Sequence, residues 1–346
     1  MRNNRKRIVA ALLSAFCILL PSGCSKRQNE MLRADETLFA MNTYMTFTAY
    51  GGEAETVLDE VKERVLQLES LWSVTQENSD VYRANHSDGQ PVAVSEETAE
   101  LISFTLEMAE QTAGAMDPTI YPVLTAWGFT TDKKQVPSKQ ELDQQLSLVD
   151  YTQISLSGRD LTVPDGMQLD LGAVGKGYAA DLAAEILREN GVNHAILSLG
   201  GNIHTVGSRP DGTDWRVGIR APWEEEYLGI LEVSDAAVVT SGSYENYFED
   251  ESGEIYWHIL DPATGYPANS GLQAVTVIGT EGRVCDALST ALFVMGADQA
   301  ELYWREHGGF DMLLVTDDNE ILVTEGIADK FTLSGGRQET VRVLEA

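Results

Sequence analysis

The sequence predicts an α+β domain of mixed, largely antiparallel sheets with flanking helices. Two observations lead there. Short β-prone runs follow one another with only turns between them, most densely between residues 151 and 279, and helical patterns break in at irregular intervals rather than after every strand. No repeat, low-complexity tract or Pro/Ser-rich linker divides the chain, so residues 37–340 read as one unit.

The N-terminal residues stand apart. Arg2, Arg5, Lys6 and Arg7 precede an apolar run of 13 residues, Ile8 to Leu20, too short to span a bilayer as a helix. Ser22-Gly23-Cys24 then resembles a lipobox, with cleavage before Cys24 and a lipid on its thiol, although Pro21 stands where Leu is usual. An ordinary secretory signal cut nearby is the alternative, and both lead out of the cytoplasm. Residues 1–23 are thus expected to be a lipoprotein signal peptide and residues 24–36 a polar tether.

Residues 38–50 suit a strand, because Met45, Phe47 and Ala49 alternate with Tyr44, Thr46, Thr48 and Tyr50. Val57, Leu58, Val61, Val65, Leu68 and Trp72 keep helical spacing, and residues 73–90 read as loop. Ser95, followed by Glu96 and Glu97, is an N-cap for a helix reaching about Thr112. Ser138-Lys-Gln-Glu141 has capping-box form. Strands are expected at 151–156 and 161–163 around a Ser-Gly-Arg-Asp turn, then at 167–171, 194–199, 203–207, 215–219, 228–233, 236–240 and 255–260. A helix from Val174 to Glu189 is closed by Gly191. A strand from Leu272 to Gly279 leads into a helix from Arg283 to Gly296 with Val284, Leu288, Ala291, Leu292 and Met295 as its apolar stripe. A helix near 298–307 and a hairpin at 310–323 follow.

The formal charge is −30. Residues 1–23 hold four of the 24 basic side chains and none of the 54 acids, so the remainder carries 20 against 54, a charge of −34. That excludes the basic footprint of a nucleic-acid binder and leaves membrane contact to the lipid rather than to a charged face. Of Cys17, Cys24 and Cys285, only Cys285 is left as a free thiol after processing, so no intrachain disulfide and no Cys/His zinc site is available.

Several stretches carry chemistry. Asp286 and Thr290 are i and i+4 on one helix face and could offer oxygen ligands to a hard cation. Taken alone, the pair reads better as a dipole-favoured first-turn acid above a packed threonine. Asp170-Leu-Gly-Ala-Val-Gly-Lys-Gly-Tyr178 joins a strand to a helix start. It fits neither a Walker loop nor the dinucleotide fingerprint, but its glycines, helix N-terminus and Lys176 suit a phosphate as well as they suit a plain tight turn. Ser198-Leu-Gly-Gly-Asn202 reads as a hairpin, and Thr240-Ser-Gly-Ser-Tyr244 as a third glycine turn. His258 lies in a strand ending at Asp261-Pro262. Ala113-Gly114-Ala115 is a small-residue turn, and Trp127 and Phe129 could wall a flat ring or pack the core.

The set and its order resemble the ApbE family, the FAD:protein FMN transferases of bacterial envelopes. Met41-Asn-Thr-Tyr-Met-Thr46, Ala115-Met-Asp-Pro-Thr119 with Trp127-Gly-Phe129, Asp170 to Tyr178, Leu199-Gly-Gly-Asn202, Thr240-Ser-Gly242, His258 to Gly265 and Asp286-Ala-Leu-Ser-Thr-Ala291 match family motifs in order from about residue 38 to 325. The resemblance implies Mg²⁺ held by the side chains of Asp286 and Thr290 and the carbonyl of Ala173. It implies FAD contacts from Met41, Ala113, Gly114, Ala115, Asp170 and Lys176, with His258 near the pyrophosphate. Asp286 and His258 would serve catalysis. Ala173, Val174, Trp257 and Met116 depart from the commoner family residues. The implied reaction is Mg²⁺-dependent transfer of FMN from FAD to a Ser/Thr hydroxyl of an acceptor flavoprotein, such as a membrane redox-pump subunit, through a phosphoester bond with release of AMP. The enzyme would act in the cell envelope, lipid-anchored at Cys24. Hydrolysis of FAD to FMN and AMP, or flavin binding without catalysis, are the alternatives.

Overall fold

A computed structural model describes residues 31–131 and 133–346. The expected signal peptide, Cys24 and most of the tether lie outside the described residues. The rest of the tether is not one: Arg33–Ala40 (β1) pairs along its whole length with Thr43–Tyr50 (β2). The single strand expected at 38–50 is therefore a hairpin. Its two-residue turn, Met41 and Asn42, has φ of 49° and 59°, as a type I′ turn requires.

Ala54–Trp72 (α1) buries all six residues of its predicted stripe. The stretch expected to be loop holds a short helix, Asp80–Asn85 (α2), capped by Ser79. Val92–Ala93 (β3) precedes Glu96–Gln111 (α3), and Ser95 Oγ accepts from the Thr98 amide as predicted. Tyr121–Ala126 (α4) and Lys139–Leu146 (α5) follow, the latter capped by Ser138. Ser155–Ser157 (β4) and Asp160–Thr162 (β5) form the small expected hairpin, and β3 adds to it. Residues 167–171 are not a strand. Their amides are taken elsewhere, Leu169 by Asn85 Oδ1 and Asp170 by the Pro118 carbonyl. Gly175–Glu189 (α6) ends as expected: Gly191 has φ 74° and the Val192 amide reaches the Leu187 carbonyl.

Ala195–Leu199 (β6), Asn202–Val206 (β7), Trp215–Arg220 (β8), Tyr227–Val233 (β9) and Ala237–Gly242 (β10) come next. β10 extends through Thr240-Ser241-Gly242, so that triplet is strand and not the turn predicted. Tyr247–Glu249 (β11) pairs with Ile255–Trp257 (β12), and His258 follows directly on β12. Leu272–Gly279 (β13) leads into Gly282–Met295 (α7), then Ala297–His307 (α8), Asp311–Thr316 (β14), Ile321–Thr324 (β15), Phe331–Leu333 (β16) and Val341–Leu344 (β17).

The main sheet has nine strands in the order β1-β2-β6-β7-β10-β13-β14-β15-β17, antiparallel except for the last pair. β17 carries the domain past residue 340, beyond the expected boundary. Its central strands are apolar on both faces. Val275, Val277, Met312, Leu314 and Leu322 point into the core shared with α1, α6 and α7, while Ala274, Ile278, Leu313, Val315, Ile321 and Val323 face a second core. The small sheet β16-β9-β8 covers that second face. This two-sided burial explains why the central runs lack clean alternation. It also presses α6 and α7 onto one face of the sheet. Among the described residues no helix is long and apolar enough to cross a membrane.

Candidate active site

The site is built where the N-termini of α6 and α7 meet. Both helices start without a side-chain cap of their own. Gly177 on α6 and Gly282 on α7 lie against each other so closely that a Cβ on Gly177 would stand 2.2 Å from the Gly282 carbonyl oxygen. This approach lets Asp286 reach back to α6: its Oδ2 accepts from the Gly177 amide at 2.8 Å, and its Oδ1 accepts from Asn202 Nδ2 at 2.9 Å. Asp286 is 4% exposed and lies beyond the first turn of α7, so the helix dipole does not account for it. The stripe expected on this helix was too narrow, because Cys285, Ala287, Ser289 and Phe293 are buried as well.

Thr290 sits one turn on. Its Oγ1 is 3.4 Å from Ser241 Oγ on β10, which also meets Ser289 Oγ at 2.8 Å. Ala173 lies in the turn before α6, where the Val174 and Gly175 amides both bond to the Leu171 carbonyl. Gly177, the partner of Asp286, is four residues further on. The fold thus brings the Asp286–Thr290 face to the α6 start. The donor set is carboxylate, hydroxyl and carbonyl oxygen, and each Asp286 oxygen keeps a lone pair beyond its hydrogen bond. Those residues suit a hard cation such as Mg²⁺.

A cavity of about 520 Å³ opens beside the α6 start. Met41, Asp170 and Lys176 line it, with Trp72, Tyr121 and Phe129. The left-handed Met41 is held by a bond from its amide to Glu69 Oε1 at 2.6 Å. Asp170 Oδ1 accepts from the Gly172 amide at 2.7 Å, and burial pushes its carboxyl above the ordinary range. Lys176 Nζ donates to the Gly172 carbonyl at 3.1 Å, which folds the ammonium back over the glycine turn. A larger, more open depression of about 750 Å³ is lined by five acids, Glu224, Glu226, Asp318, Glu320 and Glu339, against one base, Arg337. It contains none of the predicted residues and its charge disfavours a phosphate.

His258 lies beyond the Phe129 wall, ring centroids 6.4 Å apart. Its amide donates to the Asn246 carbonyl, while its Nδ1 is sealed from solvent with no hydrogen-bond partner among the described residues. Burial, with the Lys176 charge adding to it, lowers its pKa to about 4, so the ring is neutral at pH 7. Phe129 lines the cavity while Trp127 is fully buried, so the pair divides between wall and core. Ala113, Gly114 and Ala115 are not among the cavity-lining residues. Their turn, with φ of 51° at Ala113 and 80° at Gly114, connects to it through Pro118, whose carbonyl accepts from the Asp170 amide.

Sequence reasoning missed Asn202, Ser241 and Trp72. Asn202 carried a weak signal, an amide side chain directly after Gly200-Gly201, whose φ values of 63° and 98° make the β6–β7 turn. Gly177→Ala should lower stability by about 1–3 kcal/mol through overpacking. It should lower activity further, because it parts Asp286 from α6; thermal denaturation and turnover of the same sample check both.

The ApbE family profile matches residues 41–314. A Treponema pallidum protein named FAD:protein FMN transferase is 31% identical, covering 98% of this chain and 96% of its own length. The Escherichia coli K12 protein of the same name is 33% identical, covering 87% and 89%. Among solved structures, the apbe protein of Thermotoga maritima superposes with a TM-score of 0.80 at 32% identity, covering 85% of this chain and 98% of that one. The flavin transferase ApbE of Vibrio cholerae gives 0.76 at 25% identity, covering 88% and 98%.

Proposed function

The chain belongs to the ApbE family, and on that premise we propose that it is an FAD:protein FMN transferase that joins FMN to a Ser or Thr hydroxyl of an acceptor flavoprotein and releases AMP. The observation that carries the reading is that a cavity lined by Met41, Asp170, Lys176 and Phe129 reaches the α6 start at Gly175, two residues before the Gly177 amide that Asp286 holds, while Asp286 and Thr290 do not themselves line it.

In this reading the isoalloxazine ring lies against Phe129, Trp72 and Met41, and the pyrophosphate meets Lys176 and the α6 amides. The acceptor hydroxyl oxygen attacks the FMN-side phosphorus. A new P–O bond forms, the bond to the AMP phosphate oxygen breaks, and AMP leaves. The hydroxyl proton passes to the unprotonated ring nitrogen of neutral His258. Bound Mg²⁺, held by Asp286, Thr290 and the Ala173 carbonyl, would neutralise pyrophosphate charge that this acidic chain otherwise repels. The rest is positioning, as in other phosphoryl transfers.

The same reading places the enzyme outside the cytoplasm, lipid-anchored at Cys24, near an acceptor such as a membrane redox-pump subunit. Cys24→Ser should move it from the membrane fraction to the soluble fraction. Chelation by EDTA should lower AMP release from FAD plus acceptor at least ~100-fold, and added Mg²⁺ should restore it. Chelator-resistant release would remove the metal from the account. Lys176→Met should raise the KM for FAD by about 10–100-fold through loss of a charge-assisted contact, which initial-rate kinetics will measure.

A further inference from the structure

Asp181 lies on α6, outside the cavity and without a role in the reaction described above. Its carboxylate spans the gap to α7: Oδ1 accepts from the Gly282 amide at 2.5 Å and Oδ2 from the Arg283 amide at 2.9 Å. These are the first two residues of α7. The residue in sequence position to cap that helix, Glu281, makes no capping bond and pairs with the Arg283 guanidinium instead. The two helices therefore cap each other. Asp181 of α6 closes the start of α7, and Asp286 of α7 closes the start of α6 through the Gly177 amide. The glycine pair between them leaves no room for another spacing.

We infer that Asp181 is a positioning residue, which fixes the rotation and depth of α7 so that the Asp286 carboxylate and the Thr290 hydroxyl face the α6 start. Burial pushes the Asp181 carboxyl up to about 6, with the two amides pulling it back, so it is still ionised at neutral pH. Behind it, His204 Nδ1 stands 3.4 Å from Oδ1; the ring is buried, lowered to about 4 and neutral, and adds no competing charge. The Asp181 side chain is half-buried, 24% exposed, so the two amide bonds offset the cost of partly desolvating its charge.

The inference rests on the transferase reading for its functional consequence, but the latch itself can be measured without turnover. Asp181→Asn can accept from only one of the two amides, since its NH₂ group faces the other. In metal-free protein, hydrogen exchange should speed up at least about tenfold at Gly282, Arg283 and, through the reciprocal bond, Gly177. With FAD and an acceptor, the Mg²⁺ concentration for half-maximal rate should rise at least about tenfold, with kcat at saturating Mg²⁺ changed less, and Asp181→Glu should recover part of the loss. Unchanged exchange at Gly177 together with an unchanged Mg²⁺ requirement would overturn the inference. If wild-type protein transfers no FMN, the transferase reading fails by itself while the exchange result still decides the latch. Should Asp181→Asn not fold, Asp181→Ala, which removes the charge and both acceptor oxygens, carries the same comparison. If neither folds, Asp181 is a folding residue and the positioning role is refuted.

Discussion

Asp286→Ala should reduce FMN transfer by at least about 1,000-fold, the largest effect of any single substitution in this chain. Three losses coincide. The proposed cation loses its only charged protein ligand. The Gly177 amide and the Asn202 side chain lose their acceptor in a buried setting, which costs about 1–3 kcal/mol for each group left unpaired. The α6 start, where the pyrophosphate would bind, loses the bond that ties it to α7. Asp286→Asn separates these terms. It can still accept from Gly177, so the thermal midpoint should lie between wild type and Ala, while transfer should stay near the Ala level. Transfer by Asp286→Asn at wild-type rate would show that the carboxylate charge is not used.

The second large effect is expected at His258. His258→Gln keeps a polar side chain of similar reach but removes the base, so kcat should fall by about 10²–10⁴-fold with FAD affinity changed only a few-fold. The direction of its pKa sets the pH dependence. The ring is lowered from about 6.5 to about 4 by burial, so the base form is present across the neutral range and is lost only as pH falls through 4. An acid limb of kcat/KM near pH 4 that disappears in His258→Gln fits this role. An equal kcat in both proteins would restrict His258 to the wall of the site.

Much of this site was legible in the sequence because it sits at element boundaries. The apolar period of residues 284–295, the strand before it and the glycine turn at 172–177 located α7 and α6 closely. What the sequence could not show is the pairing between them. Asp286 finds its partners 109 and 84 residues earlier in the chain, at Gly177 and Asn202, and no local pattern encodes such bonds. As a lone stretch it therefore read best as an ordinary helix-start acid. The errors elsewhere have physical causes too. Met41-Asn42 is not the Asn-Gly pair that signals a type I′ turn, so the β1–β2 hairpin read as one strand. Residues 167–171 have a strand-like pattern, but the Asn85 side chain and the Pro118 carbonyl take their amides before a neighbouring strand can. In residues 73–90 the helix α2 is only six residues long, too short for a period to show.

The most direct measurement is the mass of an acceptor. A purified flavoprotein domain from the same cell envelope is incubated with FAD, Mg²⁺ and the enzyme, and intact-mass spectrometry is run beside quantification of free nucleotides. The account predicts a mass gain equal to one FMN joined as a phosphoester at a Ser or Thr, with one AMP released for each acceptor modified. Release of FMN and AMP with the acceptor mass unchanged would make the protein a hydrolase, and FAD bound but left intact would make it a carrier; either result contradicts the account.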